Sequence, residues 1–358
     1  MTLHRPTPAS SGETPQDVAR RIDALRGQLG DDVLVMGHHY QHDSVIRHTD
    51  LRGDSLELAR KVDAISAKHI VFCGVYFMAE SAALLARDGQ SVHIPESDAN
   101  CVMSQMAPAQ RVDAVLRNLS GTGRNVIPLA YVNTSLAVKA VVGRHGGAVC
   151  TSANAKTMLT WARERADAVV FLPDKNLARN TADLLGIAED RRHILDIRDG
   201  GAAVDMDAAS GAELLMWPGC CAIHARFNLR QMERMRDEHP GCRIAVHPEC
   251  SPEVVRAADA AGSTSFLIRY AEEQKPGTTL VIGTEINLVE RLAAQHAGRI
   301  SVLPLLESGC SHMARVTAPK LLTTLESIAS GTASPVTIPL DLQDDAHAAL
   351  QRMLEACA

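Results

Sequence analysis

Three segments of the chain each place a cysteine where an apolar, strand-like run ends and a helix-like segment begins. The first segment leads to Cys101, the second to the adjacent pair Cys220 and Cys221, and the third to Cys310. A thiol at the same place in three similar segments predicts that three thiolates meet at one point. Three thiolates without a fourth suit an iron–sulfur cluster that keeps one iron open. The residues alone do not decide between Cys220 and Cys221.

The number and spacing of the cysteines exclude several common kinds of cysteine site. The chain has nine cysteines, an odd number, and no two of them form a Cys-x-x-Cys pair. An odd number argues against a disulfide framework. The missing pair argues against zinc ribbons, thioredoxin-like motifs and ferredoxin-like motifs. A metal site must therefore be assembled from distant positions.

Polar side chains follow several predicted strands. Because parallel strands present their carboxyl ends at one edge of a sheet, these loops predict a shared active site between domains. The loops are His38-His39-Tyr40-Gln41, Tyr131-Val132-Asn133-Thr134-Ser135, Cys150-Thr151-Ser152-Ala153-Asn154 and His247-Pro248-Glu249-Cys250.

Some of these residues also have a simpler explanation. Gly53-Asp54-Ser55 precedes a predicted helix, as do Ser152 and Asn154, and Ser, Thr, Asp and Asn act as caps at such positions. Gly262-Ser263-Thr264 allows the same two interpretations. The alternative is an anion at each helix N-terminus, which would fit a dicarboxylate or a phosphate ester. His247-Pro248-Glu249 is either a surface turn or a catalytic pair. Catalysis would require the carboxylate close to an acidic C–H, with its pKa tuned by its surroundings.

Strand-like and helix-like segments alternate along the chain, which predicts parallel sheets with right-handed crossovers. The strands group into three α/β units, each of which ends at one of the cysteine loops. The predicted strands are 33–36, 70–73, 92–94, 126–131, 168–172, 214–217, 244–246, 265–268, 280–282 and 301–303. The predicted helices are 55–66, 112–118, 154–165, 176–185, 223–238, 252–260 and 287–295.

The length of 358 residues fits several domains rather than one core. We expect a disordered leader over residues 1–19 and α/β domains over 20–108, 109–225 and 226–330. A C-terminal appendage over 331–358 would contain a strand at 337–340 and a helix at 345–355.

Composition excludes some classes of partner. The net charge is −6 and aromatic residues make up 3% of the chain, so neither a nucleic acid nor a membrane surface is an expected partner. The sequence contains no run of about 18 uncharged apolar residues, so it predicts no membrane-spanning helix. The N-terminal segment lacks the apolar run of a signal peptide. We expect a cytoplasmic protein.

Taken together, the motifs resemble those of the A-type quinolinate synthases of bacterial NAD biosynthesis. Their order and combination along almost the whole chain carry the resemblance, since no single tripeptide is specific. Besides the four loops above, the matching segments are Gly53-Asp54-Ser55-Leu56-Glu57-Leu58-Ala59, Phe72-Cys73-Gly74-Val75, Phe77-Met78-Ala79-Glu80, Phe171-Leu172-Pro173-Asp174, Trp217-Pro218-Gly219-Cys220-Cys221 through His224, Gly262-Ser263-Thr264-Ser265 and Gly283-Thr284-Glu285.

The resemblance implies three similar α/β domains, with parallel sheets in three-layer units, around a pseudo-threefold axis. It also implies one [4Fe–4S] cluster held by one cysteine of each domain. The family's middle motif is Trp-x-Gly-x-Cys-x-x-His, which assigns the middle ligand to Cys221 and not to Cys220. The outer ligands would be Cys101 and Cys310.

The implied reaction is the condensation of iminoaspartate (iminosuccinate) with dihydroxyacetone phosphate to quinolinate, phosphate and water. The open iron would act as a Lewis acid. Tyr40, Glu249 and His224 are the implied acid/base residues. The implied substrate-binding residues are His38, Ser55, Tyr131, Val132, Asn133, Ser152, His247, Pro248, Glu249, Ser263 and Thr264.

Two further expectations concern the context of the chain. An L-aspartate oxidase or an aspartate dehydrogenase is a possible functional partner that would supply iminoaspartate. The alternatives to an enzyme of this family are a non-catalytic iron–sulfur redox sensor or cluster carrier, and a cluster-free α/β sugar-phosphate enzyme whose buried cysteines are incidental.

Overall fold

The fold is described from a computed structural model, which describes residues 13–121 and 123–357. Its first parallel sheet has the strand order β2-β1-β3-β4. The strands are β1 (Val33–His38), β2 (Leu51–Gly53), β3 (His69–Cys73) and β4 (Ser91–His93), and the helices are α1 (Pro15–Leu29), α2 (Asp43–Ile46), α3 (Ser55–Lys61), α4 (Tyr76–Leu85) and α5 (Val102–Gln105).

The second sheet has five strands in the order β6-β5-β7-β9-β8. Its strands are β5 (Val126–Tyr131), β6 (Ala148–Cys150), β7 (Ala168–Leu172), β8 (Arg192–Ile194) and β9 (Leu214–Met216). The helices of this part of the chain are α6 (Ala109–Ser120), α7 (Leu136–Arg144), α8 (Ala155–Arg163), α9 (Lys175–Leu184) and α10 (Met206–Gly211).

The third sheet repeats the order of the first, as β11-β10-β12-β13. Its strands are β10 (Arg243–Val246), β11 (Ala260–Ala261), β12 (Thr279–Gly283) and β13 (Ser301–Pro304). The remaining helices are α11 (Leu229–Glu238), α12 (Pro252–Ala257), α13 (Thr264–Glu272), α14 (Ile286–Gln295), α15 (Ala318–Ala329) and α16 (Leu340–Ala356).

All strand pairs in the three sheets are parallel, as the alternation of strands and helices predicts. The central strands β5 and β7 are buried along their whole length. Such strands are covered by helices on both faces, which explains their continuous apolar sequences. The predicted fold class, three similar α/β units with parallel sheets, is therefore confirmed.

The registers show which residues of the three units are equivalent. Gly37 pairs with Cys73, Ala130 with Leu172, and Val246 with Gly283, each between the first and third strands of its unit. The next residues, at the carboxyl ends of these strands, therefore occupy matching positions. His38, Tyr131 and His247 form one such set, and Tyr40, Asn133 and Glu249 form another, two residues further along.

The helix after each cysteine loop packs on the following sheet. Helix α6 contacts β5, and Met232 of α11 shares a core with Ile244 of β10. Leu321 of α15 packs with Val35 and Val71 of the first sheet. The third unit thus returns its helix to the first, and the chain closes into a ring of three units.

The C-terminal helix α16 closes the second unit by packing on α7 and β6. Its backbone comes so close to Gly143 that an added Cβ would lie 1.8 Å from the Asp345 carbonyl oxygen. The Arg352 guanidinium donates to the Gly147 carbonyl oxygen at 2.6 Å. Glycine at position 143 is therefore required by the backbone approach of two helices.

Two predicted strands are wrong. The segment 265–268 lies in α13, because the Ser263 hydroxyl accepts from the Phe266 N–H and caps a helix there. The segment 337–340 forms no strand, and Leu340 begins α16 instead. Prolines 335 and 339 lack the N–H that a ladder needs, and only Val336 donates, to the Val92 carbonyl oxygen.

The expected disordered leader is wrong for residues 15–19, which form the first turns of α1. Thr14 and Asp17 make a capping box, and Pro15 occupies the first helical position. The rest of the expected leader, residues 1–12, lies outside the described residues. None of the described helices has both the length and the apolar character needed to cross a bilayer. The domain boundaries near 108 and 225 stay predictions.

Candidate active site

Three thiols, one from each unit, come together where the sheets meet. Cys101 follows β4, Cys221 follows β9 and Cys310 follows β13. Burial raises the pKa of Cys101 to about 12 and also raises the pKa of Cys221 and Cys310. The Cys310 thiolate contributes to the rise at Cys101, and Cys101 contributes at Cys221. Each thiol therefore lies within reach of another one's charge.

The donor set fits a cluster with three cysteine ligands. The three cysteines are half-buried, and their soft sulfur atoms are the ligands that iron–sulfur clusters use, whereas hard cations take oxygen ligands. Such a cluster would also offset the mutual repulsion that the three thiolates would otherwise feel. Backbone N–H groups donate to each sulfur, from Met103 and Ser104, from His224, and from His312 and Met313 respectively.

Cys220 differs from its neighbour Cys221 in its surroundings. Its pKa is raised by partial burial and by Asp174, and no other cysteine contributes to that rise. The Cys221 sulfur instead lies within 4.8 Å of ligand atoms of His224 and Glu249. The middle ligand stays a prediction, but Cys221 is the thiol that faces the shared site.

A buried carboxylate fixes the Cys221 loop. Asp174 is the N-cap of α9, and its Oδ1 accepts from the N–H groups of Asn176 and Leu177 at 2.7 and 2.9 Å. Its Oδ2 accepts from the Cys221 N–H at 3.1 Å. Burial, and then the charge of Glu249, raise the pKa of Asp174 to about 8.

In the third unit, the carboxylate of Glu285 likewise caps a helix and fixes a cysteine loop. It caps α14 by accepting from the Asn287 N–H at 2.9 Å, and its other oxygen accepts from the Cys310 N–H at 3.3 Å. Burial raises its pKa to about 7. In the first unit the matching residue is Val75, so the described part of that unit holds the Cys101 amide with no carboxylate.

Four side chains from three units form a continuous chain of hydrogen bonds beside the thiols. The Tyr40 phenol oxygen lies 2.8 Å from Thr284 Oγ1, which lies 3.1 Å from His224 Nε2. His224 Nδ1 lies 2.6 Å from Glu249 Oε2. Because the first unit supplies Tyr40 and the third supplies Glu249, this chain crosses the junction between units.

The two ends of this chain differ in protonation. Burial, together with the charge of Glu249, raises the pKa of Tyr40 well above its usual value, so the phenol stays protonated. Burial alone would raise the pKa of Glu249, but His224 and the hydrogen bond from Tyr131 lower it below its usual value, so the carboxylate stays ionised. One end can donate a proton and the other can accept one.

Two buried imidazoles occupy matching positions in the first and third units. His38 Nδ1 accepts from the Tyr40 N–H at 3.1 Å, and His247 Nδ1 accepts from the Glu249 N–H at 3.4 Å. Burial lowers the pKa of both histidines to about 3. Both are neutral, and the proton of each ring is on Nε2, which is a donor for an anionic ligand.

The second unit contributes Tyr131 and Ser152. The Tyr131 phenol hydrogen-bonds to Glu249, and Ser152 hydrogen-bonds to the phenol. Burial is the main cause that raises the pKa of Tyr131 well above its usual value. Residues predicted from the second and third units therefore meet at one carboxylate.

The other predicted residues are placed differently. Thr264 Oγ1 donates to the Tyr40 phenol oxygen at 3.3 Å, whereas Ser263 uses its hydroxyl as a helix cap. Val132 is buried and Pro248 half-buried. Across residues 13–121 and 123–357, Ser55 and Asn133 make no side-chain hydrogen bond to another predicted site residue.

Thr284, Asp174 and Glu285 belong to this site but were not assigned roles from the sequence. All three lie within two residues of the end of the third strand of a unit, and Asp174 and Glu285 directly precede a helix. Aligning the three units on their strand ends is the signal that could have found them.

Comparison with known proteins adds an independent result. The family model described as quinolinate synthetase A protein (NadA) matches residues 20–355. The chain is 41% identical to a quinolinate synthase of Acidobacterium capsulatum over 343 residues, which cover 94% of the chain and 92% of that protein. It is 42% identical to one of Geobacillus kaustophilus over 345 residues, with 94% and 93% covered. It is 41% identical to one of Streptomyces coelicolor over 346 residues, with 94% and 88% covered.

Proposed function

The chain belongs to the quinolinate synthetase A family, and from that premise we propose that it is a quinolinate synthase that condenses iminoaspartate with dihydroxyacetone phosphate. The products are quinolinate, phosphate and water, and the reaction is a step of NAD biosynthesis. The observation that carries the proposal is the buried hydrogen-bond chain from Tyr40 to Glu249 beside three thiols.

Glu249 is the proposed base. It is an ionised carboxylate held by His224, and it can remove a proton next to an imine or carbonyl carbon. His224 can then take part in passing that proton along the chain, since its two nitrogens contact Glu249 and Thr284. The geometry thus connects the base to a second proton carrier without a water molecule between them.

Tyr40 is the proposed acid. Its phenol stays protonated, and Thr264 donates to its oxygen while Thr284 lies on its other side. A protonated phenol can donate to an enolate as negative charge develops there. The proton that Tyr40 loses can be replaced through Thr284 and His224.

The remaining groups are proposed to bind the anionic parts of the two substrates. The Nε2–H groups of His38 and His247 are the proposed donors, together with the Tyr131 hydroxyl at the matching strand end, which bonds to Glu249 in this structure. Ser55, Ser152 and Thr264 begin or precede helices at matching positions, where N–H groups favour anions. Val132, Asn133, Pro248 and Ser263 complete the proposed binding set.

Cys101, Cys221 and Cys310 are the residues that would hold a [4Fe–4S] cluster. When bound, a cluster with three protein ligands supplies a Lewis acid that polarises a substrate carboxylate or hydroxyl and assists dehydration. The carboxylates of Asp174 and Glu285 fix the two loops that carry Cys221 and Cys310.

The reaction is tested with protein that is purified and reconstituted with iron and sulfide without oxygen. We expect quinolinate from iminoaspartate and dihydroxyacetone phosphate, and we expect Glu249→Gln to keep its iron but to form no quinolinate. Turnover in that variant would remove Glu249 from its role. A reconstituted wild type that binds iron and forms no quinolinate would favour a cluster carrier or redox sensor.

The ligands are tested by iron content. We expect about four irons per chain and a brown colour in the wild type. Both should be lost when Cys101, Cys221 or Cys310 is replaced by Ala, and kept in Cys220→Ala, the matched control. Loss in Cys220→Ala together with retention in Cys221→Ala would reverse the assignment.

The proposed context follows from the substrates. Iminoaspartate hydrolyses readily, so an L-aspartate oxidase or an aspartate dehydrogenase is the proposed supplier. Small molecules, and neither nucleic acid nor membrane, are the proposed partners, and the cytoplasm is the proposed location.

A further inference from the structure

Helix α9 of the second unit grips the loop that carries Glu249 in the third unit. The Asn176 amide donates to the Glu249 carbonyl oxygen at 3.2 Å. The Asn180 amide donates to the carbonyl oxygens of Pro248 and Cys250 at 2.7 and 2.8 Å. Three consecutive carbonyl groups around the proposed base are therefore held by one helix of the neighbouring unit.

Helix α14 of the third unit grips the Tyr40 loop of the first unit in the same way. The Asn287 amide donates to the Tyr40 carbonyl oxygen at 3.2 Å. The Arg291 guanidinium donates to the carbonyl oxygens of His39 and Gln41 at 2.8 and 2.6 Å. Again three consecutive carbonyl groups are held, and the middle one belongs to the proposed acid.

The two sets of contacts match position by position. The first donor lies two residues after the capping carboxylate of its helix, and the second donor lies six residues after it. In both units the first donor reaches the carbonyl of the acid/base residue, and the second reaches the carbonyls on either side. The matching positions are Asp174, Asn176 and Asn180 in α9 and Glu285, Asn287 and Arg291 in α14.

The third junction lacks this arrangement. The matching positions in α4 are Phe77 and Ser81, and Ser81 donates to the Phe77 carbonyl within its own helix. The loop that carries Asn133 is held instead by Lys139 of its own unit, which donates to the Thr134 carbonyl oxygen. From α4, Glu80 only accepts from the Leu136 N–H at 3.2 Å, where α7 begins. Within the described chain, a neighbouring helix donates to three consecutive carbonyl groups only in the two loops that carry a proposed acid or base.

Three of these donor side chains are buried, and burying a polar side chain is unfavourable unless its hydrogen bonds are made. The exposed fractions of Asn176, Asn180 and Arg291 are 6%, 4% and 8%. Asn180 Oδ1 is buried without a partner in the described residues, while its amide makes both loop contacts. An unpaired buried polar atom destabilises the fold, so a buried amide with an unused acceptor points to a role for its two donors.

We propose that these four side chains are positioning residues for the reaction. Helix α9 fixes the loop of the base, and α14 fixes the loop of the acid, so that both reach one substrate at the junction. This inference rests on the proposed function. The carboxylate that caps each helix also accepts from the N–H of a cysteine in its loop. One helix therefore sets the distance between a thiol and an acid/base loop.

The test compares Asn180→Leu with Thr181→Val on reconstituted protein. Leu has nearly the shape of Asn but leaves two loop carbonyls without a donor. Thr181 is buried on the same helix, and its hydroxyl donates only within α9, to the Leu177 carbonyl oxygen. We expect Asn180→Leu to lower kcat about 10-fold to 100-fold, with iron content and the KM for dihydroxyacetone phosphate unchanged. We expect Thr181→Val to keep the wild-type kcat.

A second variant tests the other grip. Arg291→Lys keeps the positive charge but loses the fork that holds two carbonyls, and we expect the same selective loss of kcat. Asp43→Asn, which alters only the exposed ion-pair partner of Arg291, is its control. Wild-type kcat with full iron in both grip variants would overturn the inference. So would a loss of kcat that merely follows a loss of iron.

A measurement without turnover separates this inference from the proposed function. Amide hydrogen exchange should be faster in peptides that cover 247–251 in Asn180→Leu and unchanged in Thr181→Val. If the wild type forms no quinolinate, the proposed function fails while this exchange still reports on the grip. Unchanged exchange in Asn180→Leu would contradict the grip even in an active enzyme.

Discussion

Thr284 connects the Tyr40 phenol to His224 by hydrogen bonds. Its hydroxyl lies 2.8 Å from the phenol oxygen and 3.1 Å from the imidazole Nε2. A hydroxyl can accept from one neighbour and donate to the other, so a single side chain completes the route between acid and base.

We therefore expect Thr284→Val to lower kcat about 100-fold, because valine keeps the shape of threonine and removes the proton route. Iron content should stay at the wild-type value. Thr324→Val, in which a hydroxyl bonded within α15 is lost far from the site, should keep full activity. Full activity in Thr284→Val would show that Tyr40 is reprotonated by another route.

The buried histidines make stability depend on pH. Burial lowers the pKa of His38 and His247 to about 3 in the folded chain, whereas both titrate near 6.5 when unfolded. The unfolded chain binds more protons below pH 6.5, so the stability that these histidines contribute is present above that pH. It is lost as the pH falls from about 6.5 toward 3.

Chemical denaturation of the iron-free chain between about pH 7.5 and about pH 5 measures this effect. Each histidine contributes a slope of up to about 1.4 kcal/mol per pH unit. We expect His38→Asn to have the shallower slope, because it removes one imidazole that takes up a proton on unfolding. The Asn side-chain oxygen can still accept from the Tyr40 N–H, so the local structure is kept. An equal slope in His38→Asn and the wild type would contradict a buried neutral imidazole at position 38.

The residues that the sequence identified are those with a motif of their own. Tyr40, His224 and Glu249 stand in segments whose order and combination along the chain are specific, and the structure brings them together. Thr284 and Asn180 were not assigned roles, because a side chain that bridges or holds other groups is recognised from distances between parts of the chain. Such residues have no spacing that chemistry alone would predict.

At the scale of elements, the strand-to-helix switch carries both a cap and a ligand loop. Asp174 supports the N-terminus of α9 with one oxygen and the Cys221 amide with the other. Capping alone is worth about 1 kcal/mol, whereas the bond to Cys221 orients a loop of the site.

Asp174→Ala should separate these two contributions when it is compared with Asp205→Ala. Asp205 caps α10 by accepting from the Ala208 N–H at 3.0 Å, away from the thiols. We expect both variants to lower the free energy of unfolding, but only Asp174→Ala to lose iron faster to a chelator. Equal rates of iron loss in both variants would contradict a role of Asp174 in holding the Cys221 loop.

Strands with an apolar sequence were predictable, and short strands without one were not. β5 and β7 are buried apolar runs of six and five residues, and even the three-residue β9 was predicted, because all its residues are apolar and buried. β2 and β11 have three and two residues and no apolar run that would predict a strand. Segment 265–268 was misread because its apolar residues fit a strand, while the cap at Ser263 decided for a helix.

At the scale of the whole molecule, contacts between distant parts of the chain hold the units together. The approach of α7 and α16 at Gly143 is one of them, since an added Cβ would lie 1.8 Å from a backbone oxygen. A backbone atom cannot rotate away as a side chain can, so one of the helices must shift.

We expect Gly143→Ala to lower the free energy of unfolding by about 1–3 kcal/mol, as overpacking does, although alanine normally favours a helix. Gly27→Ala is the matched control, because no atom lies within 4 Å of a Cβ at this other helical glycine. The control should be neutral or more stable than the wild type. Denaturant titration of both variants measures the difference, and equal stability would mean that α16 can move without cost.

The three units are parts of one chain, so residues at matching positions around the ring can differ from one another. A homotrimer of one such unit would carry the same residue at all three strand ends, so an acid would face two more acids. Covalent fusion of the three copies removes this constraint, because each copy can change alone. The matching positions 40, 133 and 249 accordingly hold a phenol, an amide and a carboxylate. Single-chain architecture thus permits broken symmetry, and with it a division of labour around one centre.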